Sequence, residues 1–222
     1  MKYSHIFLAL FCILFLLTGC TKVKREYHNN GKIKSETTYR FGKETGTTTH
    51  YHNWYPTKTM EIQMKRGKKN GKLIKRFFDN TTELIAYYKN DLLEGVETHY
   101  YMNGNISLQT HYSKGLKNGP VTSWFSNGIV RESGSFANDM FDGEWIHHDE
   151  RGFIVGEGSF VKGTGKRLSY DELGRLQCET YFVDNKKEGL ETHFLPSGEV
   201  EKIILFKEDR IIEINGTSIE DL

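Results

Sequence analysis

Four of the nine histidines stand at matched positions, His50, His99, His147 and His193. Imidazole is a metal ligand and a proton carrier near neutral pH, so a column of them is the first place to look for chemistry. They occur once in every second copy of a 24-residue repeat. With two strands per repeat at about 4.8 Å each, neighbours in the column lie roughly 19 Å apart, whereas metal ligands must converge within about 2.1 Å of one ion. The four therefore share no metal. The spacing predicts that they sit on the polar, exposed side of their strands, with His147 and His148 pointing to opposite faces. A pH-dependent contact is the chemistry left to them.

Carboxylates recur just before one glycine of each repeat, as Glu94, Asp142 and Glu188, and turn solvation accounts for that placement better than a glycosidase-like pair. No Gly-x-Ser-x-Gly, Gly-Lys-Ser/Thr loop, His-Glu-x-x-His or Cys-x-x-Cys motif occurs. We expect no catalytic residue, no cofactor and no metal. Of three cysteines, Cys12 and Cys20 lie in the N-terminal segment and Cys178 stands alone beyond it, so no disulfide is expected. Cys178 shares a stripe with Leu176, Thr180 and Phe182 and reads as a small inward hydrophobe.

The elements that position these residues follow from glycine spacing. Gly95, Gly104, Gly119, Gly128, Gly143 and Gly152 mark alternating steps of nine and fifteen residues, and the pattern runs on through Gly165, Gly174, Gly189 and Gly198 with one repeat two residues short. It continues backwards, less regularly, through Gly71, Gly46 and Gly31. A fixed period of this size means units that bury apolar surface only by stacking. After the first glycine come an aliphatic residue (Ile106, Val130, Ile154, Leu176) and, six further on, an aromatic (Tyr112, Phe136, Phe160, Phe182). That even spacing is one face of a strand. After the second glycine, positions one, three and five carry Val96, Thr98 and Tyr100, or Pro120, Thr122 and Trp124. The fold class expected is all-β: an elongated antiparallel meander or solenoid of about eight 24-residue β-hairpin repeats.

A three-residue loop at Met102–Gly104 pairs Tyr100 with Ile106 and puts both apolar stripes on one face. Such loops place a left-handed residue at the glycine. Asn80, at the same site, tolerates positive φ. Pro56 does not, and its turn, in a 25-residue repeat, must be built differently.

The N-terminus carries Lys2, a twelve-residue apolar run from Ile6 to Leu17, and Leu17-Thr18-Gly19-Cys20. The run is too short to span a bilayer and suits a signal-peptide core. The tetrapeptide resembles a bacterial lipobox, which implies lipidation of Cys20 and stable anchoring by its acyl chains. The expected organisation is a lipoprotein signal peptide at 1–19, a lipidated Cys20 with a short tether at 20–26, and the repeat domain at 27–222. The implied site is the bacterial envelope, on the outer membrane facing the periplasm in a Gram-negative source. Net charge is +1, with no footprint for nucleic acid. The small basic group Lys22, Lys24 and Arg25 reads as a solvated first strand.

The stretches Asn103-Gly104 through Tyr112, Gly115 to Gly119, and Trp124-Phe125-Ser126-Asn127-Gly128 resemble the MORN-variant repeat family, many of whose bacterial members are described as YwqK-type antitoxins. The resemblance covers the chain beyond the signal segment. It implies the hairpin architecture and, more loosely, a partner toxin. The one-sided aromatic stripe through Tyr100, Trp124 and Tyr170 is the candidate binding face, either packed on itself in a coiled sheet or open to a protein or envelope polymer. The function expected is a membrane-anchored, non-catalytic binding or scaffold module, with an antitoxin or immunity protein as the alternative.

Overall fold

The computed structural model describes residues 21–218. They form strands and turns without a helix, and the chain divides into two units between Leu92 and Leu93. Cys20 and the signal segment lie outside the described residues. Within each unit consecutive strands pair antiparallel, as the repeat predicts. The expected tether is itself strand: Thr21–Tyr27 is exposed throughout and pairs with Ile33–Arg40.

Two kinds of turn alternate. At the first, Tyr101 N–H donates to Asn105 O at 2.8 Å and Gly104 N–H to Tyr101 O at 2.9 Å, closing a three-residue loop that sets Tyr100 opposite Ile106. Gly104 and its counterparts Gly128, Gly174 and Gly198 all have positive φ, and Asn80 takes φ 70° at the same site. The Pro56 turn is one residue longer, closed by His52 N–H to Thr57 O. The second kind is a two-residue turn, such as Asn138-Asp139 or Glu208-Asp209, with positive φ at both positions, the signature of a type I′ hairpin.

One expectation about the faces fails, and for a single reason. Three residues beyond each glycine-type turn the strand carries one extra residue: Ser107, Arg131, Val155, Gln177 and Glu201 in the second unit, Lys34, Thr59 and Glu83 in the first. Because side chains alternate with period two, a one-residue bulge exchanges the faces of everything beyond it. Tyr100 still opposes Ile106, but Leu108 opposes His99 rather than Thr98. The face that carries Val121 and Trp145 therefore holds positions two and four after the second glycine, not one, three and five, while Thr49 and Thr98, at position three, are buried on the other side. Trp145 and Val121 lie inward; Trp124 does not.

The first unit buries Ile62, Leu73 and Ala86 together with Ser35, Thr37, Thr48 and Thr49. In the second, Val121, Trp145, Phe160 and Phe182 form a cluster flanked by Leu108, Phe136 and Phe141. Trp145, 4% exposed, meets Phe136 and Phe141 edge-on at 5.1 and 4.9 Å between centroids, geometry that adds to area burial. Rings of this size fit because glycines lie beneath them. A Cβ on Gly134 would come within 2.2 Å of the Trp145 ring, and one on Gly158 within 2.6 Å of Phe160.

Side chains at the turns tie each repeat to the next. Asn103 accepts the N–H of Asn105 and donates to Ser126 O at 3.0 Å; Asn127 does the same for Ile129 and Glu150 O. The recurrent carboxylates act here too. Glu94, Asp142 and Glu188 accept the backbone N–H of Lys114, Lys162 and Glu208, each twenty residues on. They serve the turns, as expected, holding left-handed Lys and Glu residues of the next repeat in place.

Candidate functional site

Tyr100, Trp124 and Tyr170 end their strands opposite Ile106, Val130 and Leu176. Strand alternation sets them on the outer face, away from Val121 and Trp145, and all three are half-buried. His148 and Phe194 occupy the same position in their repeats, also half-buried. The structure thus lines up the three expected residues in one column without joining them in a single pocket. Tyr170 Oη donates to the exposed Glu157 at 3.2 Å; burial first, and that bond second, push the phenol up from its ordinary value. Tyr101 Oη donates to Trp124 O at 2.7 Å and fixes the chain end that carries the indole. His148 Nδ1 is buried and has no hydrogen-bond partner. The column offers flat apolar surface with polar tips.

The inner face holds what sequence reasoning misplaced. Across the second unit one register row reads His99, Leu108, Ser123, Glu132, His147, Gly156, Ser169, Cys178, His193 and Lys202. The histidines are thus not on the exposed polar side. The bulges turn His99, His147 and His193 toward the face of Trp145, where each is half-buried beside a carboxylate. His99 Nε2 lies 2.7 Å from Glu97 Oε1, His147 Nδ1 3.6 Å from Glu132 Oε1, and His193 Nε2 3.0 Å from Glu191 Oε1. Burial pushes His147 below its ordinary value despite Glu132, with Arg167 and His148 adding in the same direction.

Glu191 is the most enclosed of these carboxylates, 7% exposed. Lys187 Nζ donates to its Oε2 at 2.5 Å and Thr180 Oγ1 to the same oxygen at 3.1 Å. Burial alone would raise Glu191, but Lys187, His193 and Thr180 hold it below the usual carboxylate range. Cys178 sits directly opposite His193, with Sγ 3.6 Å from Thr180 Oγ1. It is half-buried rather than sealed in the core, and burial pushes its thiol up. The four histidines stay in separate repeats, as their spacing requires. What the structure joins is another trio, Cys178, Glu191 and His193, whose ligand atoms lie within 4.8 Å of one another.

The hairpin with a left-handed glycine turn, repeated through both units, defines the class. The MORN repeat variant matches residues 22–40 and 93–114, one stretch in each unit. The chain carries MORN-type repeats. No curated protein matches the chain.

Proposed function

We propose that this protein is a non-catalytic binding module of the bacterial envelope, tethered through an acylated Cys20, that engages a protein or envelope polymer through the outer aromatic column. The carrying observation is that Tyr100, Trp124 and Tyr170 remain half-exposed on the face opposite the buried cluster of the second unit. A core needs its aromatics covered; a binding face keeps them available, and aromatic anchors dominate interface energies. The lipobox-like Leu17–Cys20 supports the tether, and two acyl chains suffice for stable anchoring.

Trp124→Ala tests the reading, with melting temperature and partner capture from cross-linked envelope membranes measured together. Capture should weaken by about 2 kcal/mol or more at nearly unchanged melting temperature. A large loss of stability with no selective loss of capture would refute the binding face. A captured protein that is toxic when expressed alone would turn the module into an antitoxin, the family-level alternative. Cys20→Ser should move the protein out of the membrane fraction or leave it unprocessed.

A further inference from the structure

We propose that Cys178, Glu191 and His193 form a binding site for a divalent transition-metal ion of zinc-like softness. The trio offers one thiolate, one carboxylate oxygen and one imidazole nitrogen, a ligand set that selects zinc-like ions over magnesium or calcium. Three protein ligands leave a fourth position for water.

The geometry is close to what an ion needs. With bonds of about 2.0–2.3 Å, tetrahedral ligands stand roughly 3.3–3.7 Å apart. Nε2 of His193 and Oε1 of Glu191 are already 3.0 Å apart. Since no ligand pair exceeds 4.8 Å, closure on an ion asks for side-chain movements on the order of 1 Å, within rotamer relaxation. The backbone supplies the rest: Cys178 opposes His193 and Thr180 opposes Glu191 on adjacent antiparallel strands.

The polar contacts sort themselves so that one carboxylate oxygen is free for the task. Lys187 and Thr180 both engage Oε2 of Glu191, leaving Oε1 turned to His193. They form the outer support that fixes a metal-binding carboxylate. Lys187 is itself held over the Phe206 ring at 4.6 Å, so it has a second place to rest when an ion neutralises Glu191. Thiolate and carboxylate together bring two negative charges, matching a divalent ion.

The repeat contains its own control. Glu97 and His99 reproduce the Glu-x-His spacing with a 2.7 Å contact, but the residue fifteen before His99 is Leu84, where His193 has Cys178. At the intervening copy His147 has Glu132 at that position, and Trp145 takes the place of Glu191. All three ligand types coincide in one repeat alone among the described residues.

The test uses the purified full chain in mild detergent, with Co(II) as a spectroscopic probe and Zn(II) affinity read by chelator competition. The expected result is a near-ultraviolet thiolate-to-cobalt band at one equivalent, displaced by zinc, lost in Cys178→Ser and unchanged in His99→Ala. His193→Ala and Glu191→Gln should weaken zinc binding by roughly tenfold or more, since even outer-shell partners are worth about 10–100-fold. Circular dichroism of each variant separates loss of a ligand from loss of fold. A band that survives Cys178→Ser, or zinc affinity unmoved by both His193→Ala and Glu191→Gln in folded protein, would overturn the site.

Discussion

The two units are built on the same backbone plan and fill it differently. In the first, the inner face is aliphatic and hydroxylic, with Ile62, Leu73 and Ala86 among Ser35, Thr37 and Thr48, and charge pairs lie on the opposite face: Arg76 to Glu61 at 2.7 Å and Arg25 to Glu36 at 2.6 Å. In the second, interlocking rings of Phe136, Phe141, Trp145, Phe160 and Phe182 take over. Since turn types and bulge positions are shared by both, the repeat is specified by its turns, and the inner face is free to be filled by whatever each unit stacks. The polar row is common to both, running through Glu26, Ser35, His50 and Lys75 in the first unit.

That contrast is broken most directly at Trp145. Trp145→Ala should cost about 3–5 kcal/mol, whereas Ile62→Val in the first unit should cost about 0.5–1.5 kcal/mol; urea unfolding followed by fluorescence and circular dichroism measures both. Equal costs would mean that the aromatic cluster is not the stronger support. A smaller effect is expected at Gly134, where a methyl must displace the indole. Gly134→Ala should destabilise by about 1–3 kcal/mol through overpacking, and far less in a Trp145→Leu background. Additive losses in that double-mutant cycle would show that the glycine is not there to seat the ring.

The smallest effect concerns the charge pairs. Bonds from Lys58 first, then Arg76, hold Glu61 below the usual glutamate range. A carboxyl depressed in the folded state stabilises above its unfolded value, and that stabilisation is lost as pH falls through the folded value. Glu61→Gln should therefore cost about 1 kcal/mol at neutral pH, with the gap to wild type closing in acid. A gap constant with pH would assign the cost to packing.

Much of this was legible. The glycine period, the strands, the three-residue turn pairing Tyr100 with Ile106, the left-handed Asn80 and the irregular Pro56 turn all follow from local stereochemistry, which sequence records. The exchange of faces does not, because the bulged residues Ser107, Arg131, Val155, Gln177 and Glu201 share no side-chain type. A bulge set by backbone geometry leaves no composition to read. Hence the unbulged pattern groups Trp124, rather than Val121, with the apolar stripe of the neighbouring strand, and puts the histidines on the wrong face. The trio at Cys178 is hidden by the same step, since the unbulged reading puts Cys178 on the inward stripe and His193 on the polar side. One signal was present: Leu73, Val121 and Trp145 are apolar at position two after the second glycine, but Glu97, Arg167 and Glu191 at that position dilute it.

The shortened repeat has a consequence for how the second unit opens. Elsewhere the turn ladder links nearest neighbours, as Asp139 receives the N–H of Lys117 and Asp209 that of Lys187, and such arrays can fray from their ends one unit at a time. Gly163 stands where the next acceptor belongs and has none to offer. Asn185 reaches past it to accept the N–H of Phe141, 44 residues back, and donates to Asp139 O, while its own N–H bonds Gly163 O. A Cβ at Gly163 would sit 2.8 Å from that Asn185 oxygen, so the missing side chain is also the passage. Three turns thereby share one rivet. Their amide protons should therefore exchange together in one cooperative opening, so that a zipper of independent teeth becomes, at this place, a hinge held by a single pin.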